Sequence, residues 1–107
     1  MSVLESEIEQ ACVQLAKKAG CTLLKIQGSR GWPDRILLCP QAKVVFMEFK
    51  RPGEDLRPYQ KFVKATLQSL DFKVEKVDSV ERFKSILAAT LQSPGSHTVT
   101  KSEPSSG

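Results

Sequence analysis

The sequence predicts a single α/β (α+β) domain in which helices flank a central sheet. Three observations lead there. Apolar residues recur at three- and four-residue spacing in three stretches, two central runs are apolar at odd and even positions alike, and turn residues separate these segments. In chain order the elements read α-β-β-β-α-β-α. At 107 residues the chain can bury one core and is too short for two.

The first helix is carried by Leu4, Ile8, Ala11, Cys12, Leu15, Ala16 and Ala19, one apolar stripe. Ser2 with Glu5 three residues on forms a capping-box pattern, and Gly20 follows the last turn. Residues 21–26 read as a short strand and 27–32 as a Gly/Ser-containing loop closed by Pro33. Strands are predicted over 34–39 and 43–50, joined by a tight Pro-Gln-Ala turn. Because both are apolar on both faces, both faces are expected to be covered. After a charged loop over 51–57, Pro58 suits the first turn of a helix to about Leu70, with Phe62, Val63, Ala65, Thr66, Leu67 and Leu70 inward. Residues 72–77 alternate as a strand. Ser79 caps a third helix over 80–91, anchored by Phe83, Ile86 and Leu87. The domain is thus assigned to 1–92, and the aperiodic segment 93–107 to a disordered tail.

Composition removes several function classes. No apolar run approaches the length of a membrane span, and the polar, acidic start MSVLESEIEQ predicts no signal peptide. The one histidine, His97, lies in the tail, which leaves no material for a Ser-His-Asp or Cys-His site. Cys12, Cys21 and Cys39 form no C-x-x-C pair and read as small buried thiols in a reducing cytosol, rather than a zinc site or disulfide framework. Net charge is +4, yet residues 25–64 carry nine bases against four acids, an excess of +5. The basic surplus is central, as on a polyanion-binding face.

Three charges in that segment resist a structural explanation. Glu48 interrupts the run V-V-F-M-E-F-K, and Lys50 follows on the same strand face. If the hairpin turns about Gln41, Cys39 pairs with Lys43, Leu38 with Val44, and Asp34 falls opposite Glu48. Two carboxylates on opposed residues repel, and desolvating either costs several kcal/mol. A divalent cation converts that penalty into a binding site. Mg²⁺ prefers one or two carboxylates with water and phosphate oxygens, and a nearby lysine suits phosphodiester hydrolysis.

The residues Gly31-Trp32-Pro33-Asp34-Arg35, then Phe46-Met47-Glu48-Phe49-Lys50, then Leu56 and Gln60, resemble the VRR-NUC domain of the PD-(D/E)XK nuclease superfamily. The stand-alone form encoded by phages and bacteria is most similar, and the resemblance covers about residues 4–90. Trp32 stands where a small aliphatic residue often precedes the proline, and Phe49 is bulky within E-x-K; neither is at a side-chain ligand position. The resemblance implies a restriction-endonuclease-like αβββαβ core with a mixed sheet. It implies that Asp34, Glu48 and the Phe49 carbonyl ligate Mg²⁺ or Mn²⁺, that Lys50 holds the attacking water or the phosphate, and that Gln60 braces the site. A helix glutamate completes the superfamily pattern. Helix geometry slightly favours Glu5, but its cap explains that residue. Glu9 follows Ile8 as in the family's I-E pattern and precedes Gly20 by eleven residues, similar to archaeal junction resolvases, so Glu9 is assigned. Lys25, Arg30, Arg35, Arg51 and Arg57 are the candidate phosphate contacts.

The function these features imply is a metal-dependent, structure-selective DNA endonuclease, foremost for four-way (Holliday) junctions. Flap, splayed-arm or less selective cleavage is the alternative, as is a non-catalytic nucleic-acid-binding module, and a small interaction protein stands third. A homodimer is expected, with strand 73–77 or helix 80–91 as interface. No membrane and no nucleotide cofactor are expected, and the location is cytoplasmic, at the nucleoid.

Overall fold

The computed structural model describes residues 4–28 and 30–93. The tail from residue 94, with His97, and the Ser2 cap lie outside the described residues. The elements are α1 (Glu5–Lys18), β1 (Thr22–Lys25), β2 (Arg35–Cys39), β3 (Lys43–Phe49), α2 (Pro58–Ser69), β4 (Lys73–Val77) and α3 (Val80–Gln92). The strands lie in the order β1-β2-β3-β4. The first two pairings are antiparallel, and the third is parallel because α2 carries the chain back across the sheet.

Local chemistry explains the ends. Leu4, not Ser2, is the N-cap of α1, and Glu7 rather than Glu5 accepts the Leu4 N–H, at 3.3 Å. Glu5 is thereby freed from the capping role expected of it. Gly20, at φ +77°, ends the helix in a Schellman arrangement: Cys21 N–H donates to the Ala16 carbonyl at 2.9 Å and Gly20 N–H to Lys17 at 3.1 Å. Pro58 opens α2, and the Ser79 hydroxyl accepts from Arg82 N–H at 3.0 Å to cap α3.

The main core lies between one sheet face and helices α1 and α3. It joins Ile8, Cys12 and Ala16 to Leu37, Val45, Met47, Phe49, Val77, Phe83, Ile86 and Leu87. All three cysteines are free and buried, as the sequence reading expects, with Cys21 and Cys39 sulfurs 2.9 Å apart. Burial pushes the Cys12 and Cys39 thiols up to about 12.

The opposite face departs from expectation twice. Helix α2 covers it with Leu67 and Val63, over Phe46 and Val74. Phe62 points outward, 73% exposed, because it lies off the narrow buried stripe of Val63 and Leu67. Ala65 and Thr66, also expected inward, are exposed too, and Leu70, 62% exposed, is the C-cap beyond the last helical residue. The helix lies along β4 and leaves the outer face of β1 and β2 only partly covered. Ile26 and Ile36 pack against the Phe46–Leu67–Val74 cluster, while Leu24 (50%), Leu38 (39%) and Trp32 (41%) are exposed, as is Phe72 (41%), which leads into β4. Among the described residues no helix is long and apolar enough to cross a membrane.

Candidate active site

The β2–β3 register creates the site. Cys39 pairs with Lys43, Leu38 with Val44 and Arg35 with Met47. The next step along both strands sets Asp34 beside Glu48 at the open end of the hairpin. Asp34 Oδ2 accepts the Phe49 N–H at 2.8 Å, which ties the two strand ends together. The Lys50 N–H donates to the Val77 carbonyl at 3.0 Å, so this lysine is fixed by the parallel strand beside it.

Glu48 is costly to bury. It is 5% exposed, and among the described residues its Oε1 is the one buried side-chain oxygen or nitrogen without a hydrogen-bond partner. Its Oε2 accepts from Gln60 Nε2 at 2.7 Å and stands 3.9 Å from Lys50 Nζ. Burial, then the Asp34 charge, raise its pKa to about 8 against the partial relief from Lys50. Burial also lifts Asp34, opposed by the Phe49 N–H. Lys50 is itself only 6% exposed. Two crowded carboxylates, an orphaned oxygen and a backbone carbonyl at the same strand end are a donor set suited to a hard divalent cation. Among the described residues no three His, Cys, Asp or Glu side chains already form a metal cage.

Gln60 reaches Glu48 because it is the third residue of α2; its Oε1 accepts the Arg57 N–H at 2.8 Å, so capping fixes the amide toward the sheet. The loop before Asp34 is pressed onto the same helix. Gly31 has φ +82°, and a Cβ there would stand 3.0 Å from both the Tyr59 ring and the Tyr59 carbonyl. Only glycine lets the G-W-P-D segment lie that close.

The two helix glutamates part company. Glu9 is engaged by Arg35 Nε at 2.5 Å and stands 3.9 Å from Lys25 Nζ. Glu5 has its pKa raised by burial, then by Asp34 and Glu54, and its charge is felt at Glu48. The sequence pattern hides this coupling, because it assigns Glu5 to the cap.

The Arg35 side chain, expected at the phosphates, is 12% exposed and donates also to the Leu23 carbonyl at 3.1 Å, so in this structure it braces β1, β2 and α1. Arg30 stacks its guanidinium 4.6 Å over the Tyr59 ring. Lys25, Arg51 and Arg57 are exposed near the site, as a phosphate-facing role requires.

Comparison with known proteins bears on this geometry. No protein-family model matches the chain. The protein named "Putative nuclease p44", from Acyrthosiphon pisum secondary endosymbiont phage 1, is 38% identical over 89 residues, covering 81% of this chain and 95% of that protein. A solved structure of a "VRR_NUC domain" aligns with TM-score 0.70 at 18% identity, over 78% of this chain and 94% of the other. That second likeness is one of fold.

Proposed function

The chain belongs to the VRR-NUC nuclease family, and from that membership we propose that it is an Mg²⁺- or Mn²⁺-dependent endonuclease of branched DNA, four-way junctions foremost. The observation that carries the reading is the Asp34–Glu48 pair, with its orphaned Glu48 Oε1, beside a buried lysine. Asp34, Glu48 and the Phe49 carbonyl would hold the cation. When bound, it supplies Lewis-acid polarisation of the phosphodiester and offsets phosphate charge.

The protein's own groups do the positioning. Gln60 fixes one Glu48 oxygen and leaves the other without a hydrogen-bond partner, available to a cation. The Phe49 N–H likewise fixes one Asp34 oxygen. The Lys50 ammonium, poorly hydrated at 6% exposure, orients the attacking water or a phosphate oxygen and stabilises charge that builds during attack. Lys25, Arg51 and Arg57 supply phosphate contacts around the rim.

In this reading the helix carboxylate that completes the site is Glu5, in place of Glu9. Glu5→Ala is expected to lower cleavage about tenfold or more while leaving the melting temperature nearly unchanged. Glu9→Ala strands Arg35 with little solvent and is expected to cost roughly 2–4 kcal/mol of stability. Paired melting and cleavage assays decide it. A larger cleavage loss in Glu9→Ala, at undiminished stability, returns the role to Glu9.

The reading includes a homodimer, since two nicks across a junction call for two sites related by a two-fold axis. The partly open β1–β2 face with Leu24, Leu38 and Trp32 exposed, rather than β4 or α3, supports a location for the interface. Contiguous apolar surface of that kind is rare on monomers. A cleavage panel of duplex, single strand, flap, splayed arm and four-way junction, with Mg²⁺ and Mn²⁺, tests the function. Light scattering of the wild type and of Leu24→Asp/Leu38→Asp tests the assembly. Junction cleavage by a dimer, lost with the dimer in the double variant, is the expected outcome. Metal-promoted stability without cleavage of any DNA would instead favour a non-catalytic binding module. A strict monomer that prefers flaps would overturn junction resolution alone.

A further inference from the structure

We propose that the outer ridge of α2 beside the site, Phe62 flanked by the Arg30–Tyr59 stack, receives the unstacked face of a nucleobase at a DNA branch point. This deepens the nuclease reading and rests on it.

Phe62 is the most exposed large apolar side chain among the described residues, at 73%. It lies about 140° around the helix from Leu67, so no small rearrangement of α2 buries it. One turn earlier, Tyr59 is held by Arg30 at 4.6 Å over its ring and by the Gly31 backbone packed against it. The ridge therefore has one fixed ring and one free ring. Between them Gln60 turns the opposite way, to Glu48 at 2.7 Å. The same helical turn that orients a site carboxylate on its inner side presents Phe62 on its outer side.

Charge identifies the occupant. Arg30, Arg57 and Lys61 surround the ridge and are exposed; of the two acids in the preceding loop, Asp55 pairs with Lys61 at 3.3 Å and Glu54 accepts the Arg51 N–H at 3.0 Å. Interfaces between proteins deplete lysine, whereas nucleic-acid channels combine aromatic platforms with cations that track phosphates. Continuous duplex hides its base faces in the stack. A branch point exposes them, so a ring beside the cleavage site distinguishes branched from continuous DNA without reading sequence.

The test compares wild type, Phe62→Ala and Phe62→Trp on a four-way junction, a splayed arm and a matched duplex. 2-Aminopurine is placed at the branch nucleotide and, separately, in mid-duplex, with binding followed in Ca²⁺ and cleavage in Mg²⁺. Phe62→Ala should lower the branched-to-duplex cleavage ratio about five- to hundredfold and abolish the fluorescence change at the branch nucleotide. Phe62→Trp should restore both. An unaltered ratio and fluorescence change in Phe62→Ala overturn the proposal. So does loss of the dimer in that variant with the ratio retained, which would make Phe62 a protein contact. Wild-type protein that cuts no DNA overturns the nuclease reading itself; wild-type protein that cuts branched DNA with the ratio insensitive to Phe62 overturns only this inference.

Discussion

Asp34→Ala, Glu48→Ala and Lys50→Ala are each expected to lower DNA cleavage roughly 10³-fold or more, and combining them should add little. Cation, water and phosphate are positioned as one unit, so the first loss removes most of the benefit of the others. The three variants should differ in stability. Asp34→Ala leaves the Phe49 N–H without its acceptor, at a cost of roughly 1–3 kcal/mol. Lys50→Ala removes the charge that relieves Glu48 and should also destabilise. Glu48→Gln removes the carboxyl whose ionisation this site penalises, so near and above neutral pH the metal-free protein should melt higher while cleavage is lost. It should bind DNA at least as tightly as wild type. Cleavage assays with thermal melts and binding titrations check all of this. Near-normal activity in any of the alanine variants would remove that residue from the site.

The second large effect concerns pH. Glu48 titrates near 8 in the folded protein against an ordinary value of 4.5, and Asp34 and Glu5 are raised in the same sense. Between those limits the native state holds a proton that the unfolded chain has released. Stability of the metal-free protein is therefore present at the low end and lost as pH rises toward 8. The expected loss is roughly 2–4 kcal/mol, at about 4–8 °C of melting temperature per kcal/mol. Mn²⁺ or Ca²⁺ should oppose the loss, adding about 2.7 kcal/mol at a hundred times the dissociation constant, with little effect near pH 5 where protons compete. Glu48→Gln should flatten the pH profile and blunt the metal response. A wild-type profile in EDTA that is level from pH 5 to 8 would contradict this account of the site.

Much of this was legible in the residues. The Asp34–Glu48 juxtaposition follows from hairpin arithmetic, because apolar runs on either side of a three-residue turn admit one sensible register. Pro58 and Ser79 marked helix starts by local chemistry alone. Gln60 was reached through family resemblance, since nothing in a helix pattern says that an amide will meet a strand carboxylate. The capping role expected of Glu5 falls to Glu7 instead, because Ser2-x-x-Glu5 matches a cap in sequence and the competing Glu7 can be preferred only once the helix start is known. Phe62 reads inward on hydrophobicity, whereas its angular position excludes it; Leu70 shares the face of Val63 and Leu67 but falls after the last helical residue, as the C-cap. The incomplete cover of the β1–β2 face is hidden for a related reason: pattern says that a strand wants cover, not how far one helix extends over the sheet.

The turn at Gln41 and Ala42, both at positive φ (68° and 61°), stands at the opposite end of the β2–β3 ladder from the carboxylates, about 20 Å away. Side chains alternate along a strand, so an offset of one residue would exchange the faces of β3. Glu48 would then enter the hydrocarbon between the sheet and helices α1 and α3, away from Gln60. An ionised carboxylate there costs several kcal/mol, more than most mispaired contacts return. The charge that suits a cation thus proofreads assembly: a hairpin that closes out of step is penalised before any substrate arrives. Errors made at the loop are detected at the mouth of the site.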